Sequence, residues 1–365
     1  MKLNQLTFTR FLAAIAIVFF HYGITTFPFN SGFFYKFFSS ANIFVTYFFI
    51  LSGFVMIIAY GKKDSEQIDY STYYTNRFAR IYPLYLVGLI AVVLIDYINY
   101  HTIDFKNFLL QSVLLQSWLP NHTLRLNRPG WSLSVEVFFY LVFPVLFNRV
   151  YRKIKPGKLF VSLIIIFFVS HVLLYILKNS SFYKGFPSVS HDLIYYFPLS
   201  NFSDFLIGNC LGVYFLRIRE KHPGNYDLII FLAFAALCFL LGNNTGVLFA
   251  PILFLIFILF LSLNKTGFIT RLFSTRGFIF LGEISYGIYI LQRPVFSSLI
   301  LLNDKFHLIN DGQVFYAGLF ILLIVSTVLY YVIEVPVKIY IRTWHGSLKE
   351  RYTLKTIKSG DTSAM

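Results

Sequence analysis

The sequence contains few cysteines and few charged residues, and it shows no convincing leader segment. The two cysteines, Cys210 and Cys238, each lie within an apolar run, so no disulfide framework is implied. Charged residues make up 13% of the 365 positions, whereas a soluble globular domain carries about a quarter. The first apolar run lacks a basic segment before it and a small-residue cleavage site after it, so we expect no cleavable secretory signal peptide. No metal-ligand cluster is visible, and we expect no metal.

Apolar and aromatic residues are abundant instead. Hydrophobic residues account for 57% of the chain, with 45 Phe and 26 Tyr. This composition predicts an all-α integral membrane protein, because only helices and closed barrels span a bilayer. The shorter run at 105–119 is expected to form an interfacial or re-entrant helix. About ten runs are long enough to span, at roughly 17 to 25 residues each: 5–25, 38–60, 81–100, 131–150, 158–178, 193–216, 226–243, 245–264, 277–302 and 313–336.

The net charge of +15 reflects the two sides of a membrane, and we expect no nucleic-acid partner. Lys and Arg concentrate in alternate connections, including 149–158 and 338–358, and are few in the others. The positive-inside rule then places both termini in the cytoplasm. We predict a single transmembrane domain at 1–345, a short, basic, disordered cytoplasmic tail at 346–365, and a location in the bacterial cytoplasmic (inner) membrane. The sequence indicates no particular oligomeric state.

Arg10, His21 and Glu136 fall inside predicted spans, where an ionisable residue needs a reason. In RFLAAIAIVFFH, residues 10–21, Arg10 and His21 share one helix face and lie about 16 Å apart along the axis. Glu136, in WSLSVE at 131–136, is predicted to lie at a depth comparable to that of His21. A carboxylate beside an imidazole would hold its tautomer, as in general-base sites. The alternative is a snorkelling arginine and a histidine bonded to a neighbouring helix.

The segment NRFARIYP, residues 76–83, carries a second set of candidates. Arg77 and Arg80 are three positions apart, on one face, where the third span enters the membrane. Such pairs bind phosphates through charge-assisted, often bidentate hydrogen bonds. The alternative is a positive-inside signal that contacts lipid headgroups.

Other charges are also predicted within the bilayer, among them Asp204 in the sixth span and Glu334 at the inner end of the tenth. Glu283 is expected at the same inner depth as Arg10, where the two would form an ion pair. Arg293 is expected in the outer half, facing Glu136 or solvent. Asp96 is expected to be solvated at an outer edge.

Six phrases, in order along the chain, resemble the acyltransferase-3 family of integral membrane acyltransferases. This family includes bacterial O-antigen and peptidoglycan O-acetyltransferases. The sequence departs from the family pattern at Gln292 and Arg293, where His-Trp is common, and at Asn201 and Asp204 in the sixth span. The matching phrases are Arg10 with His21, YFFILSGFVM at 47–56, Arg77 with Arg80, WSLSVEVFFYLVFP at 131–144, LGEISYGIYILQRPV at 281–295 and IEVPVKIYI at 333–341.

The resemblance implies an O-acyltransferase. Its donor would be acetyl-CoA or another acyl-CoA, and its acceptor a hydroxyl of a cell-surface carbohydrate such as O-antigen or exopolysaccharide; the bilayer is the third partner. Whether transfer is direct or passes through an acyl-histidine stays open. A transporter or flippase for a polar or lipid-linked solute is the alternative, although no half-to-half repeat is evident. The implied roles are catalytic for His21 and Glu136, CoA-binding for Arg10, Arg77 and Arg80, and substrate-binding for Trp131, Ser132 and Tyr286.

Overall fold

The computed structural model describes residues 3–61, 67–222, 224–243 and 249–360, with side chains as far as residue 349. The described chain is helical and forms no strand longer than an isolated bridge. Six helices are long and apolar enough to cross a membrane, which agrees with the predicted all-α membrane protein. They are Gln5–Gly23, Gly32–Tyr60, Tyr70–Tyr100, Gly130–Tyr151, Gly157–Lys178 and Asp311–Lys349.

The other predicted spans coincide with helices that are shorter or more charged. Two parts of the sequence predictions fall outside the described residues. They are positions 62 and 63, which contributed to the predicted orientation, and positions 245–248, which belong to the predicted eighth span. Three helices continue into a π-helical turn, at Phe19–Gly23, Phe147–Tyr151 and Tyr330–Glu334. The α-helices are α1 (Gln5–Val18), α2 (Gly32–Ser39), α3 (Phe44–Tyr60), α4 (Tyr70–Tyr100), α5 (Phe105–Ser112), α6 (Gly130–Leu146), α7 (Pro156–Lys178), α8 (Val189–Tyr195), α9 (Phe202–Ile218), α10 (Asp227–Gly242), α11 (Ala250–Leu263), α12 (Phe268–Phe273), α13 (Arg276–Phe306), α14 (Asp311–Leu329) and α15 (Val335–Gly360).

Close helix contacts at glycine fix the centre of the bundle. A Cβ atom on Gly208 of α9 would lie 2.1 Å from the carbonyl oxygen of Ile50 on α3, and one on Gly282 of α13 would lie 2.0 Å from that of Thr7 on α1. Only glycine permits this approach, as is common where membrane helices pack through small residues. Since α1, α3 and α13 all carry predicted site residues or their neighbours, these contacts set the spacing of the site.

The run at 105–119 folds into α5 and a 3-10 turn at Gln116–Trp118, and buried amides bind it to its neighbours. The side chains of Gln111, Gln116 and Asn127 are fully buried. Gln111 accepts from the Asn127 backbone N–H (3.1 Å), Gln116 donates to the Gly130 carbonyl (2.8 Å), and Asn127 donates to the Ile290 carbonyl on α13 (3.1 Å). The loop that leads into α6 is therefore held in place from three directions.

The last helix, α15, lies beside the first turns of α4. Ser71 bonds His345 (2.9 Å), and Lys349 donates to the carboxylate of Asp69 (2.8 Å). The Lys349 hydrogen bond lowers the pKa of Asp69 to about 2. Helix α15 continues through Gly360, into the segment 346–365 for which the sequence predicts a disordered tail.

Candidate active site

A cavity of about 360 Å³ lies among α1, α3, α4, α6 and α13. We call its end near Leu3, Ala59 and Arg77 the inner mouth; by the sequence prediction it faces the cytoplasm. The cavity brings together predicted site residues that lie up to 276 positions apart in the chain. The six that line it are Arg10, Arg77, Arg80, Ser132, Glu136 and Tyr286.

The guanidinium group of Arg77 lies between two tyrosine rings. Its central carbon is 5.6 Å from the ring centroid of Tyr73 and 5.4 Å from that of Tyr140, within range for cation–π attraction. Its Nε atom is buried and has no hydrogen-bond partner among the described residues. The rings hold the cation in place and leave a donor for an anion.

Glu136 is bonded inside the cavity. Its Oε1 atom accepts from the Tyr140 hydroxyl and from the Ser52 hydroxyl (3.1 Å). The charge of Arg10 acts on Glu136 and, more strongly, on Arg80. Glu136 thus supplies negative charge in a cavity whose other charged side chains are arginines.

The predicted contact between Glu136 and His21 is not made. His21 lies in the π-helical turn that ends the first span, is exposed, and does not line the cavity. It forms no hydrogen bond within the described part of the chain, and the one charged group that acts on it is Arg128. The prediction failed because α6 begins at Gly130, so Glu136 lies about 9 Å along its axis, whereas His21 lies at the end of its helix.

A pair of hydroxyl groups lies at the far end of the cavity. The Ser132 and Tyr289 hydroxyls are 2.8 Å apart. Tyr289 lies near Glu136 and also near Tyr196. Trp131 does not line the cavity; its ring packs against that of Tyr196 with centroids 4.7 Å apart.

Tyr286, the third predicted substrate residue, faces the cavity wall formed by α4. Its hydroxyl donates to the backbone carbonyl of Ile81 (2.7 Å), on the helix that carries Arg80. This contact fixes α13 against α4 next to the arginine pair.

Sequence reasoning missed Arg342 and identified Glu334 only as a buried charge. The charge of Arg342 acts on Arg77 and Arg80, because α15 packs along α4. Glu334 is 8% exposed, and its Oε2 atom has no partner among the described residues. Among the cations, the charges of Lys338 and Arg10 act most strongly on it. In the sequence, the available signal was a basic residue, Arg342, eight positions after the buried Glu334. Only the packing of α15 against α4 shows that Arg342 lies near Arg77 and Arg80.

Two predicted charge contacts were wrong. Glu283 accepts from the Tyr330 hydroxyl (2.9 Å) and forms no ion pair with Arg10 in the described structure. Arg293 faces neither Glu136 nor open solvent. Its guanidinium lies 3.5 Å from the carboxylate of Asp96 and donates to a backbone carbonyl (2.6 Å), so the Asp96 predicted to be solvated is an ion-pair partner.

In the described ranges, no group of three His, Cys, Asp or Glu side chains is arranged to hold a metal ion.

An all-helical membrane fold with an arginine-lined cavity and a buried carboxylate is suited to an enzyme that acts on an anionic substrate within the membrane. A family model described as an acyltransferase domain, that of acyltransferase-3, matches residues 3–333. The chain therefore belongs to the acyltransferase-3 family, which confirms the resemblance and the enzyme class predicted from sequence.

Several curated relatives are similar to the chain. Acyltransferase MdmB of Streptomyces mycarofaciens is 42% identical over 125 residues, 32% of this chain and 31% of that protein. Peptidoglycan O-acetyltransferase OatA of Listeria monocytogenes is 25% identical over 318 residues, 78% of this chain and 48% of that protein. O-acetyltransferase OatA of Staphylococcus aureus is 20% identical over 323 residues, 80% and 51% respectively. The chain thus spans about half or less of these relatives. No solved structure matches it significantly.

Proposed function

We propose that the protein transfers an acyl group, assigned as acetyl, from acyl-CoA to a hydroxyl of a cell-surface carbohydrate such as O-antigen or exopolysaccharide. One observation carries the proposal: a single cavity joins the arginines of the inner mouth to the polar groups Ser132, Glu136 and Tyr289. Acyl-CoA has phosphates at one end and a thioester at the other, and this distribution of charge matches it. The names of the O-acetyltransferase relatives support the same chemistry.

Arg77, Arg80 and Arg342 are assigned to the phosphates of the donor. Arginine binds phosphate oxygens in a bidentate manner, and three neighbouring cations repel one another unless an anion lies between them. Arg10 lies deeper, between these cations and Glu136. The acyl arm would follow α1 and α6 toward Ser132.

The transfer itself is assigned to the end of the cavity nearest His21. The acceptor hydroxyl oxygen attacks the thioester carbonyl, its proton passes to His21, the C–S bond breaks, and CoA leaves as a thiolate that is then protonated. If His21 carries the acyl group transiently, its ring nitrogen first attacks the thioester, so that a C–N bond forms and the C–S bond breaks with release of CoA thiolate. The acceptor hydroxyl oxygen then attacks the acyl-imidazole, the C–N bond breaks, and the hydroxyl proton passes to the thiolate. In either case the acyl group would have to pass the Ser132–Tyr289 pair, which lines the cavity. Trp131 and Tyr286 remain proposed substrate contacts.

This function places the protein in the bacterial inner membrane. About ten spans with both termini in the cytoplasm would put the inner mouth where CoA is available. His21 would then lie on the side where a surface glycan is exposed.

The test uses full-length protein in liposomes with acetyl-CoA labelled on the acetyl group. We expect label in a glycan extract with wild type, loss of transfer in His21→Ala, and mainly a higher KM for acetyl-CoA in Arg80→Ala. Matched controls are His171→Ala, whose ring lies near Asp204 (3.5 Å) and not at the cavity, and Arg271→Ala, which bonds a loop carbonyl. Both should resemble wild type. Movement of a glycan without acetyl-CoA consumption would instead favour the transporter.

A further inference from the structure

Away from the inner mouth, the cavity ends in a wall built from three helices. Phe48 on α3, Ser132 on α6 and Tyr289 on α13 are the lining residues of their helices that lie farthest from the inner mouth. Beyond them, no described residue of these helices lines the cavity. We call these three side chains the end wall. It lies roughly 16 Å along α3 from Ala59 at the inner mouth, from the rise per residue of an α-helix.

Direct contacts join the members of the end wall. The rings of Phe48 and Tyr289 meet edge to face, with centroids 5.9 Å apart and an interplanar angle of 62°. The Tyr289 hydroxyl lies 2.8 Å from that of Ser132, and Ser132 also donates to the Pro129 carbonyl (3.1 Å). The last lining side chains of three helices therefore touch through one tyrosine, and together they bound the far end of the cavity.

Packed aromatic rings support the end wall. Phe49, which follows Phe48 and is 2% exposed, packs edge to face on Trp131 (6.1 Å between centroids) and on Phe139 (5.2 Å). Trp131 packs in turn on Tyr196 (4.7 Å). Added methylene groups in a close-packed site force side chains off their preferred rotamers. The end wall is thus expected to resist a larger ligand.

The end wall combines two chemistries that suit a short acyl group. A thioester carbonyl can accept a hydrogen bond from a hydroxyl, whereas a methyl group packs on an aromatic ring. The arginines of the inner mouth are assigned to the phosphates of the donor, so the acyl group is the part of the donor that reaches the end wall. A longer alkyl chain would have to displace the Phe48 ring or separate the Ser132–Tyr289 pair, for which it offers no hydrogen bond in return.

We propose that Phe48, together with the Ser132–Tyr289 pair, limits the length of the acyl chain that the protein accepts, and that the donor carries a short acyl group such as acetyl. The inference rests on the proposed function, because it takes acyl-CoA as the occupant of the cavity. It goes further in naming the residue that selects the donor. Phe48 is the side chain to test, since it is half-buried and has no hydrogen-bonding group. Its removal leaves the Ser132–Tyr289 bond intact.

The experiment measures equilibrium binding to the full chain in nanodiscs, with no acceptor present. Labelled acetyl-CoA is displaced by unlabelled acetyl-CoA, butyryl-CoA or hexanoyl-CoA, and empty nanodiscs correct for partition of the longer chains into lipid. One extra or missing methylene group in an apolar pocket is worth about 10- to 200-fold. We therefore expect wild type to bind acetyl-CoA at least about tenfold more tightly than butyryl-CoA, and hexanoyl-CoA more weakly still.

Variants at the end wall identify the residue responsible. Phe48→Ala opens the end of the cavity and should lower the preference for acetyl-CoA about tenfold. Phe48→Leu should lower it less, and it serves as the test if thermal unfolding shows that Phe48→Ala is not folded. Phe138→Ala, on α6, is the matched control. The Phe138 ring packs on Trp118 and Phe202 (both 5.2 Å between centroids) and does not line the cavity, so this variant should keep the wild-type preference.

Equal affinity of wild type for acetyl-CoA and hexanoyl-CoA would overturn the inference. So would an undiminished preference in folded Phe48→Ala, or in Phe48→Leu where it replaces that variant, and so would the same loss in Phe138→Ala. In all these cases acyl-CoA still binds, and the proposed function stands. Binding of none of the three acyl-CoA compounds would overturn the proposed function and the inference with it, so the two failures give different results.

Discussion

The position of Glu136 leads to a prediction that separates the structure from the sequence-based expectation. In the structure Glu136 is bonded to Tyr140 and Ser52, whereas the sequence predicted a contact with His21. Glu136→Gln keeps the shape of the side chain but makes the acceptor neutral. A hydrogen bond to a charged group contributes about 1.5–3 kcal/mol and a neutral one about 0.5–1.5 kcal/mol. The bond to Tyr140 should therefore weaken by about 1 kcal/mol.

Two double-mutant cycles on the free energy of unfolding test this. The cycle of Glu136→Gln with Tyr140→Phe should give a coupling of about 1 kcal/mol, because the two groups share a hydrogen bond. The cycle of Glu136→Gln with His21→Ala should be additive within about 0.5 kcal/mol, because the two side chains do not touch. The measurement is reversible unfolding in mixed micelles, with Ser52→Ala as a control for the second, weaker bond.

The result that would refute the reasoning is specific. A coupling of about 1 kcal/mol or more between Glu136 and His21, with none between Glu136 and Tyr140, would show that the carboxylate serves the imidazole. The assignment of Glu136 to the cavity would then be wrong.

Three further predictions follow from the contacts around the cavity. Arg342→Ala should raise the KM for acyl-CoA about tenfold at an unchanged kcat, since it removes one charge-assisted contact to phosphate; an unchanged KM in steady-state assays would remove Arg342 from the donor site. Tyr289→Phe deletes the bond to Ser132, so acyl-CoA should be hydrolysed faster without acceptor, measured as thiol release; hydrolysis at the wild-type rate would argue against a barrier at this pair. Because the pKa of Asp69 is about 2 in the folded chain and 3.8 unperturbed, its contact stabilises fully above about pH 4 and is lost as pH falls toward 2. Both partners are exposed, so Asp69→Asn should cost only about 0.5 kcal/mol at neutral pH, by thermal unfolding; a difference that persisted below pH 2 would contradict this.

The composition and the apolar runs were enough to predict an all-α membrane protein. Each transmembrane helix has to satisfy its own backbone, so the length and apolarity of a run decide its structure locally. The order of the six motifs was enough to predict the family. Arg10, Arg77 and Glu136, which the sequence places in one reaction path, line one cavity; the reaction path itself stays a prediction.

The tertiary structure decided which charges meet. Depth along a helix is readable from sequence, but rotation about its axis and the tilt of its neighbour are set by packing, as at Gly208 and Gly282. For this reason Glu136 faces Tyr140 rather than His21, and Arg293 meets Asp96. Arg342 looks like an ordinary tail cation in the sequence. Only the docking of α15 on α4 brings it close to Arg77 and Arg80.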